Sequence, residues 1–372
     1  MKKLLVSASV LLIVIAVILS CKQYRTTISD IFVRPTEKEI YVRQFEGDSI
    51  FNYKWNNAYV AAKNDSLPIN LPYQEQISVS DSSFIALSYL FTIKEGTSLN
   101  LTVSPKDSRQ KVFYSIYDSD AVENPIEEGF FQQQQNTTTF KSNGDYKIVL
   151  QPMVQNVTYF DIVLELKSNY TFPVVDAGNK AIQSFWADPR DGGKRSHQGV
   201  DIFAKRGTPV IAVTSGYITY TGEKGLGGKQ VWLRDGILGN SLYYAHLDSI
   251  NSAIGYKVKQ GDTLGFVGNT GNAKTTSPHL HFGIYKNRKG AIDPFEFIKI
   301  REQLTSDSDI NLEKNYSIKS IANLRNGPGI SYTKQVTLSK ADSIKVIGKT
   351  DNWFRIVAKD TIHGFIHKSL IR

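Results

Sequence analysis

The sequence predicts a mostly β protein, built of successive β domains behind a short N-terminal leader. Three observations predict it. Short runs with apolar and polar residues alternating recur along the chain, as in Leu99-Asn-Leu-Thr-Val, Tyr146-Lys-Ile-Val-Leu and Asn352-Trp-Phe-Arg-Ile-Val; a period of two marks a strand with one buried face. Turn signals such as Lys94-Glu-Gly, Asn143-Gly-Asp and Gly261-Asp-Thr separate those runs. The length of 372 residues suits two or three domains, and a hydrophobic content of 41% is ordinary for globular cores.

The first element is the leader. Met-Lys-Lys is followed by an apolar run over residues 4–19 and then by Ser20-Cys21, the order of a secretory signal, with a charged start, an apolar centre and a small residue before the cut. Cys21 is the only cysteine of the chain. Ile18-Leu-Ser-Cys21 resembles a bacterial lipobox, which implies that residues 1–20 are a lipoprotein signal peptide and that lipidated Cys21 tethers the mature chain to a membrane, outside the cytoplasm. An uncleaved anchor is the alternative, although the apolar run is short of the roughly 20 residues of a full span. Lys22 gives no retention cue, so the expected place is the periplasmic side of the outer membrane. With Cys21 lipidated, no disulfide holds the fold.

Residues 21–170 contain the strand runs 99–103, 146–150 and 160–166, spaced as in a β-sandwich. Gln132 to Gln135 and Asn136 read as a polar loop. No chemistry-bearing cluster occurs in this module.

Residues 175–303 read as a central antiparallel β domain, and they hold four of the six histidines, in the order His197, Asp201, His246, His279-Leu280-His281. A catalytic zinc is held by three protein ligands with a water in the fourth position, and it lowers that water's pKa from about 15.7 towards roughly 7. His197, Asp201 and His281 supply such a ligand set for one zinc ion per chain. Residues two apart on a strand face the same side, so His279 points into the cavity that His281 enters. His279 then accepts a proton from the water and passes it to the leaving amine. His246, on the strand-like segment 242–247, either donates a hydrogen bond to the oxyanion or shares the base role. Gly261, Gly265, Gly268 and Gly271 punctuate short strands in the same stretch.

These residues bring residues 180–300 to a family. His197-Gln-Gly-Val-Asp, Gly207-Thr-Pro-Val-Ile-Ala, Tyr244-Ala-His-Leu, Gly261-Asp-Thr-Leu-Gly-Phe-Val-Gly-Asn-Thr-Gly and Pro278-His-Leu-His-Phe resemble the lysostaphin-type (LytM-like) zinc metallopeptidases of peptidoglycan. The resemblance implies zinc on His197, Asp201 and His281, with His246 and His279 catalytic. It also implies hydrolysis of peptide bonds in peptidoglycan, at cross-links or stem peptides, in cell-wall remodelling. Some relatives lose these positions and only activate other hydrolases, so a non-hydrolytic binder or activator is the competing reading; this chain keeps every position. One departure is Gly271-Asn-Ala-Lys-Thr-Thr-Ser-Pro, a longer and more polar approach to the last motif. The bond is not legible, and the leader favours a directly cross-linked wall. The 21–170 module faintly resembles the β-sandwiches that flank secreted bacterial peptidases. It reads as a binding or regulatory module, which could cover the groove until a partner displaces it, or as a spacer.

After the central domain, Asp293-Pro-Phe-Glu-Phe-Ile offers an N-cap with proline at the first helical position, and a helix is expected to about Gln303. Residues 304–313 read as a polar linker. Residues 314–372 resemble a bacterial SH3-like (SH3b) domain, a small β-barrel, through Ala322-Asn-Leu-Arg-Asn-Gly-Pro-Gly-Ile-Ser-Tyr and Gly364-Phe-Ile-His-Lys; such domains often bind cell-wall peptides. Trp353 reads as a core or groove aromatic, and His363 and His367 as structural or surface residues. The formal charge is +9, of which Lys2 and Lys3 contribute two. A basic chain suits an acidic partner such as a cell-wall polymer. No basic run with interleaved aromatics points to nucleic acid.

Overall fold

The computed structural model describes residues 34–79, 84–132, 135–140, 143–154, 158–287, 289–302, 304, 312 and 316–372. The leader with Cys21 and most of the 304–313 linker lie outside them.

Two helices come first among the described residues, and strand periodicity gave no hint of them. Thr36 opens helix Glu37–Arg43 with a capping box, its hydroxyl accepting from Glu39 N while the Glu39 carboxylate accepts from Thr36 N. Asp48 caps helix Ser49–Asn64 by accepting from the amides of Ile50 and Phe51. Tyr41, Phe51 and Trp55 are buried with Phe113 in an aromatic cluster that fastens these helices to strand Val112–Asp118.

Behind the helices lies the sandwich. One sheet has five strands, in the order Leu67–Pro68, Leu87–Ile93, Gly144–Pro152, Val112–Asp118, Glu127–Phe131. The facing sheet contains Tyr73–Val79, Thr158–Ser168, Thr97–Pro105 and Gln135–Thr139. Alternate residues of both, among them Tyr89 and Ile148 from the first and Ile77, Leu99 and Phe160 from the second, fill one core. Residues 135 and 136, expected in a loop, belong to a strand paired with Thr97–Pro105, because the backbone pairs along the sheet edge whatever the polarity of the side chains.

The second sheet does not end at the sandwich. Strand Tyr73–Val79 pairs with Ile344–Thr350 of the C-terminal domain, with Gln76 opposite Lys349 and Ile77 opposite Gly348. The five C-terminal strands, Ile321–Arg325, Lys334–Ser339, Ile344–Thr350, Trp353–Ala358 and Ile362–His367, thereby complete a nine-stranded sheet. Phe365 lies in the sandwich core. The two β units therefore share hydrogen bonds and apolar packing.

The central domain has its own ten-stranded sheet, with the path Ile182–Ser184, Val200–Phe203, His279–Lys286, Ser241–Ile250, Lys229–Asp235, Gly216–Glu223, Lys257–Val258. Val200, Ile202, Leu280, Phe282, Leu242, Tyr244, Val231 and Leu233 are fully buried on one face. Full burial of such a side chain contributes about 1.5–3 kcal/mol. The pleat then places Asp201, His281, Tyr243 and Trp232 on the other face.

The helix expected from Asp293 to Gln303 spans only Phe295–Ile298. Asp293 Oδ1 accepts from Phe295 N. Lys299 then turns extended, its carbonyl accepting from Ser168 Oγ at 2.6 Å, and Asn179 Oδ1 takes Ile300 N at 2.9 Å. These contacts hold the backbone out of the helix. Nearby, Lys94 pairs with Glu296, Glu95 with Lys286, and Gly96 lies against the Phe297 ring, where a Cβ would come within 2.4 Å. The sandwich thus docks at the Lys286 end of strand His279–Lys286, about 16 Å along the strand from His281, and these contacts do not cover the histidine cluster.

Candidate metal centre

Antiparallel pairing places Asp201 directly opposite His281. His197 reaches the same point from the preceding loop. His197 Nε2 lies 3.0 Å from Asp201 Oδ1 and 3.0 Å from His281 Nδ1, and His281 Nδ1 lies 2.9 Å from Asp201 Oδ1. Two ring nitrogens and a carboxylate oxygen converge on one point. His197 Nδ1 donates to the Phe185 carbonyl at 2.8 Å, which fixes the tautomer and leaves Nε2 with its lone pair. Asp201 Oδ2 accepts from Arg190 Nη2 at 2.6 Å, and the same nitrogen donates to Ser184 Oγ at 2.6 Å. Burial works against the Asp201 charge, but in the metal-free protein His197 and His281, when protonated, outweigh it through hydrogen bonds and charge and hold the carboxyl far below the usual range. Ligands on a tetrahedral zinc with bonds of about 2.0–2.1 Å stand about 3.3 Å apart. The donor set fits that ion in type and spacing.

The two other histidines of this domain stand beside the triad. His246 Nδ1 donates to Thr270 O at 2.9 Å and His279 Nδ1 donates to Ser277 O at 2.8 Å. In the neutral form of each ring, that bond leaves the lone pair on Nε2. The His246 ring lies 5.1 Å from that of His279 and 5.9 Å from that of His281. Burial, and after it the neighbouring His281 and His279, lower the His246 pKa to about 4, so the ring is neutral at pH 7.

Residues 195–294 match peptidase family M23, and residues 320–372 match the bacterial SH3 domain. The chain carries an M23 peptidase domain. It is 33% identical over 145 residues to an L-Ala--D-Glu endopeptidase of Bacillus subtilis, covering 36% of this chain and 44% of that protein. It is 40% identical over 109 residues to lysostaphin of Staphylococcus staphylolyticus, covering 28% and 22%. With the peptidoglycan DD-endopeptidase ShyC of Vibrio cholerae it shares 35% identity over 107 residues, covering 27% and 23%. The chain thus spans less than half the length of each of these relatives.

Within the M23 domain, the backbone around His246 departs from ideal strand. Strand Ser241–Ile250 pairs with His279–Lys286 as far as Ala245, opposite His281, and then turns to Thr263–Val267, with Leu247 opposite Val267. His246 sits at that junction with φ +61°, a left-handed conformation uncommon outside glycine. The bulge brings its ring beside the cluster of His197, Asp201 and His281. Thr270 holds it there: its carbonyl takes His246 Nδ1, its hydroxyl donates to Leu247 O at 2.9 Å, and the same hydroxyl accepts from Lys229 N at 2.9 Å. The His279 ring stacks on Phe203 at 4.9 Å.

The structure thus brings all five sequence-selected residues to one place. His367 is elsewhere, with Nδ1 bonded to Ser369 Oγ at 2.8 Å; neither it nor His363 belongs to the metal cluster of the described residues. Sequence reasoning passed over Arg190, Phe185 and Thr270. Thr270 lies inside the recognised Gly-Asn-Thr-Gly run, whereas nothing in the sequence singles out Arg190, which acts only because a loop returns it to Asp201.

Proposed function

We propose that the M23 domain is a zinc-dependent endopeptidase that hydrolyses peptide bonds of bacterial peptidoglycan, in cross-links or stem peptides, during cell-wall remodelling. The convergence of His197, Asp201 and His281, with two bare imidazole nitrogens beside it, carries the reading. The relatives' names support the substrate class.

His197, Asp201 and His281 would hold the zinc. Zinc bound there supplies a Lewis acid that polarises the scissile carbonyl and acidifies water. His279, oriented by the bond from its Nδ1 to Ser277 O, presents Nε2 to the site, takes the proton of the attacking water and returns it to the leaving amine. The other Nε2, on neutral His246, accepts a hydrogen bond and shares that base role; it becomes an oxyanion donor only after gaining a proton. Lipidation at Cys21, with a place on the periplasmic side of the outer membrane, belongs to the same proposal and is supported by the leader. So does contact of the SH3 domain with peptidoglycan.

The test is mass spectrometry of fragments released from defined muropeptides by zinc-loaded protein. New peptide termini that disappear in His279→Ala, with metal retained, are expected. No release from any muropeptide, together with stimulation of another hydrolase, would replace the enzyme by an activator.

A further inference from the structure

The open face of the M23 sheet carries a row of rings leading away from the metal centre. The Tyr243 ring lies 5.7 Å from that of His281. Trp232 is 4.5 Å from Tyr243 and 5.1 Å from Tyr285, and Tyr243 is 6.3 Å from Tyr285. All three are only partly buried. The registers explain the row: Tyr243 stands opposite both Trp232 and Gly283, and Tyr285 opposite Ser241. Gly283 keeps the floor low beside Tyr243, since a Cβ there would lie 3.2 Å from the Tyr285 ring and 3.0 Å from the Gln198 carbonyl.

Arg234 follows Trp232 by two residues on the same strand, so it shares this face. Its Nη1 donates to Ser241 Oγ and to Asn287 Oδ1, each at 3.3 Å. Both acceptors are neutral, and among the described residues no carboxylate pairs with this guanidinium. Partly buried aromatic rings next to a cation without an anion call for a ligand with an aliphatic body and a negative end. From His281 to Tyr285 the strand runs four residues, about 13 Å, the length of about four extended peptide residues.

We propose that Trp232, Tyr243 and Tyr285 take the aliphatic part of an acidic peptide lying along this face, and that Arg234 takes its carboxylate. The proposal rests on the endopeptidase reading and adds a specificity strip to it. A neutral oligoglycine would leave both the rings and the guanidinium unused, so the strip selects acidic stem peptides.

The test is calorimetric binding to the full chain bearing His279→Ala, which prevents turnover. The probes are the pentapeptide L-Ala–D-Glu–L-Lys–D-Ala–D-Ala with both amines acetylated, so that only its carboxylates are charged, and a copy with every carboxylate converted to carboxamide. The acidic peptide should bind about tenfold more tightly than the copy, the value of one charge-assisted contact. Arg234→Gln should erase that preference and Arg234→Lys keep part of it. Trp232→Ala should weaken both probes alike, and Trp232→Phe should recover most of the loss. Absence of binding, absence of a preference, or a preference that survives Arg234→Gln would overturn the strip. Peptide release from muropeptides by the unmutated protein reports separately on the endopeptidase reading, which survives if release occurs without any dependence on Arg234.

Discussion

Glu75 and Arg355, 280 residues apart, hold each other through two parallel hydrogen bonds, Nε to Oε1 at 2.6 Å and Nη2 to Oε2 at 2.8 Å. The Glu75 side chain has no exposed surface and that of Arg355 is 14% exposed. Tyr73 and Tyr89 also donate their hydroxyls to Glu75 Oε2, at 2.9 and 2.7 Å, so the buried carboxylate is fully satisfied. Glu75 belongs to the sandwich and Arg355 to the SH3 domain. Their pair sits on the sheet that the two units share, and it makes the SH3 domain a fixed part of the N-terminal unit instead of a hinged appendage.

Removing either charge strands the other in a dry site. Glu75→Gln or Arg355→Met should each cost about 3–5 kcal/mol, whereas the double replacement Glu75→Leu with Arg355→Met should recover much of it. Urea unfolding measures this directly. Equal losses in single and double variants would deny the coupling.

At the metal centre, Arg190 touches Asp201 and not the convergence point. Arg190→Gln should leave the fold intact and weaken zinc binding about 10–100-fold, as loss of a ligand's orienting partner does. Competition with a chromophoric chelator reads the affinity. Asp201→Asn removes the ligand charge itself and should abolish stoichiometric binding.

Much of this site is legible in the sequence because its parts are local. His279 and His281 share a side by strand period, and the spacing from His197 to Asp201 is fixed by one short turn into strand Val200–Phe203. What brings His246 in is not local. Its segment reads as plain strand, yet the ring reaches the ligands only through a bulge created when the strand changes partners. The fold divides likewise. Alternation shows the sandwich strands, but the pairing of Ile77 with Gly348 joins segments 271 residues apart and leaves no pattern in either one. Helix Ser49–Asn64 is visible only through its cap, since Tyr53 and Ile50 point to solvent and blur its apolar stripe.

Gly199 is needed for space. A Cβ there would meet Phe282 O at 2.5 Å and the His281 ring at 2.7 and 2.8 Å. The carbonyl belongs to the sheet and cannot move freely, so the His281 ring must. Gly199→Ala should lower stability by about 1–3 kcal/mol and weaken zinc binding as well. Thermal unfolding and metal competition together decide it; unchanged metal affinity would show that the ring is not displaced.

The strained His246 gives a prediction in which stability and activity part. Asn, with its short polar side chain, visits the left-handed conformation more readily than His, so His246→Asn should stabilise the fold at pH 7 by about 1 kcal/mol while slowing peptide release about 10²–10⁴-fold, the usual worth of a positioned acid–base group. The pH dependence follows from the same residue. In metal-free protein its pKa is lowered to about 4 by burial and by its histidine neighbours, against about 6.5 in the unfolded chain. A depressed pKa means that the unfolded state binds the proton first. The stability contributed by neutral His246 is therefore complete above pH 6.5 and lost as the pH falls towards 4, to a limit of roughly 3 kcal/mol. Burial lowers the pKa of His281 and His363 as well, so both proteins weaken in acid and the difference between them isolates residue 246. Chemical unfolding of metal-free wild type and His246→Asn from pH 7.5 to 4 should show the variant's advantage growing with acidity. A gap that stays constant across that range would mean that His246 is not held neutral by its surroundings.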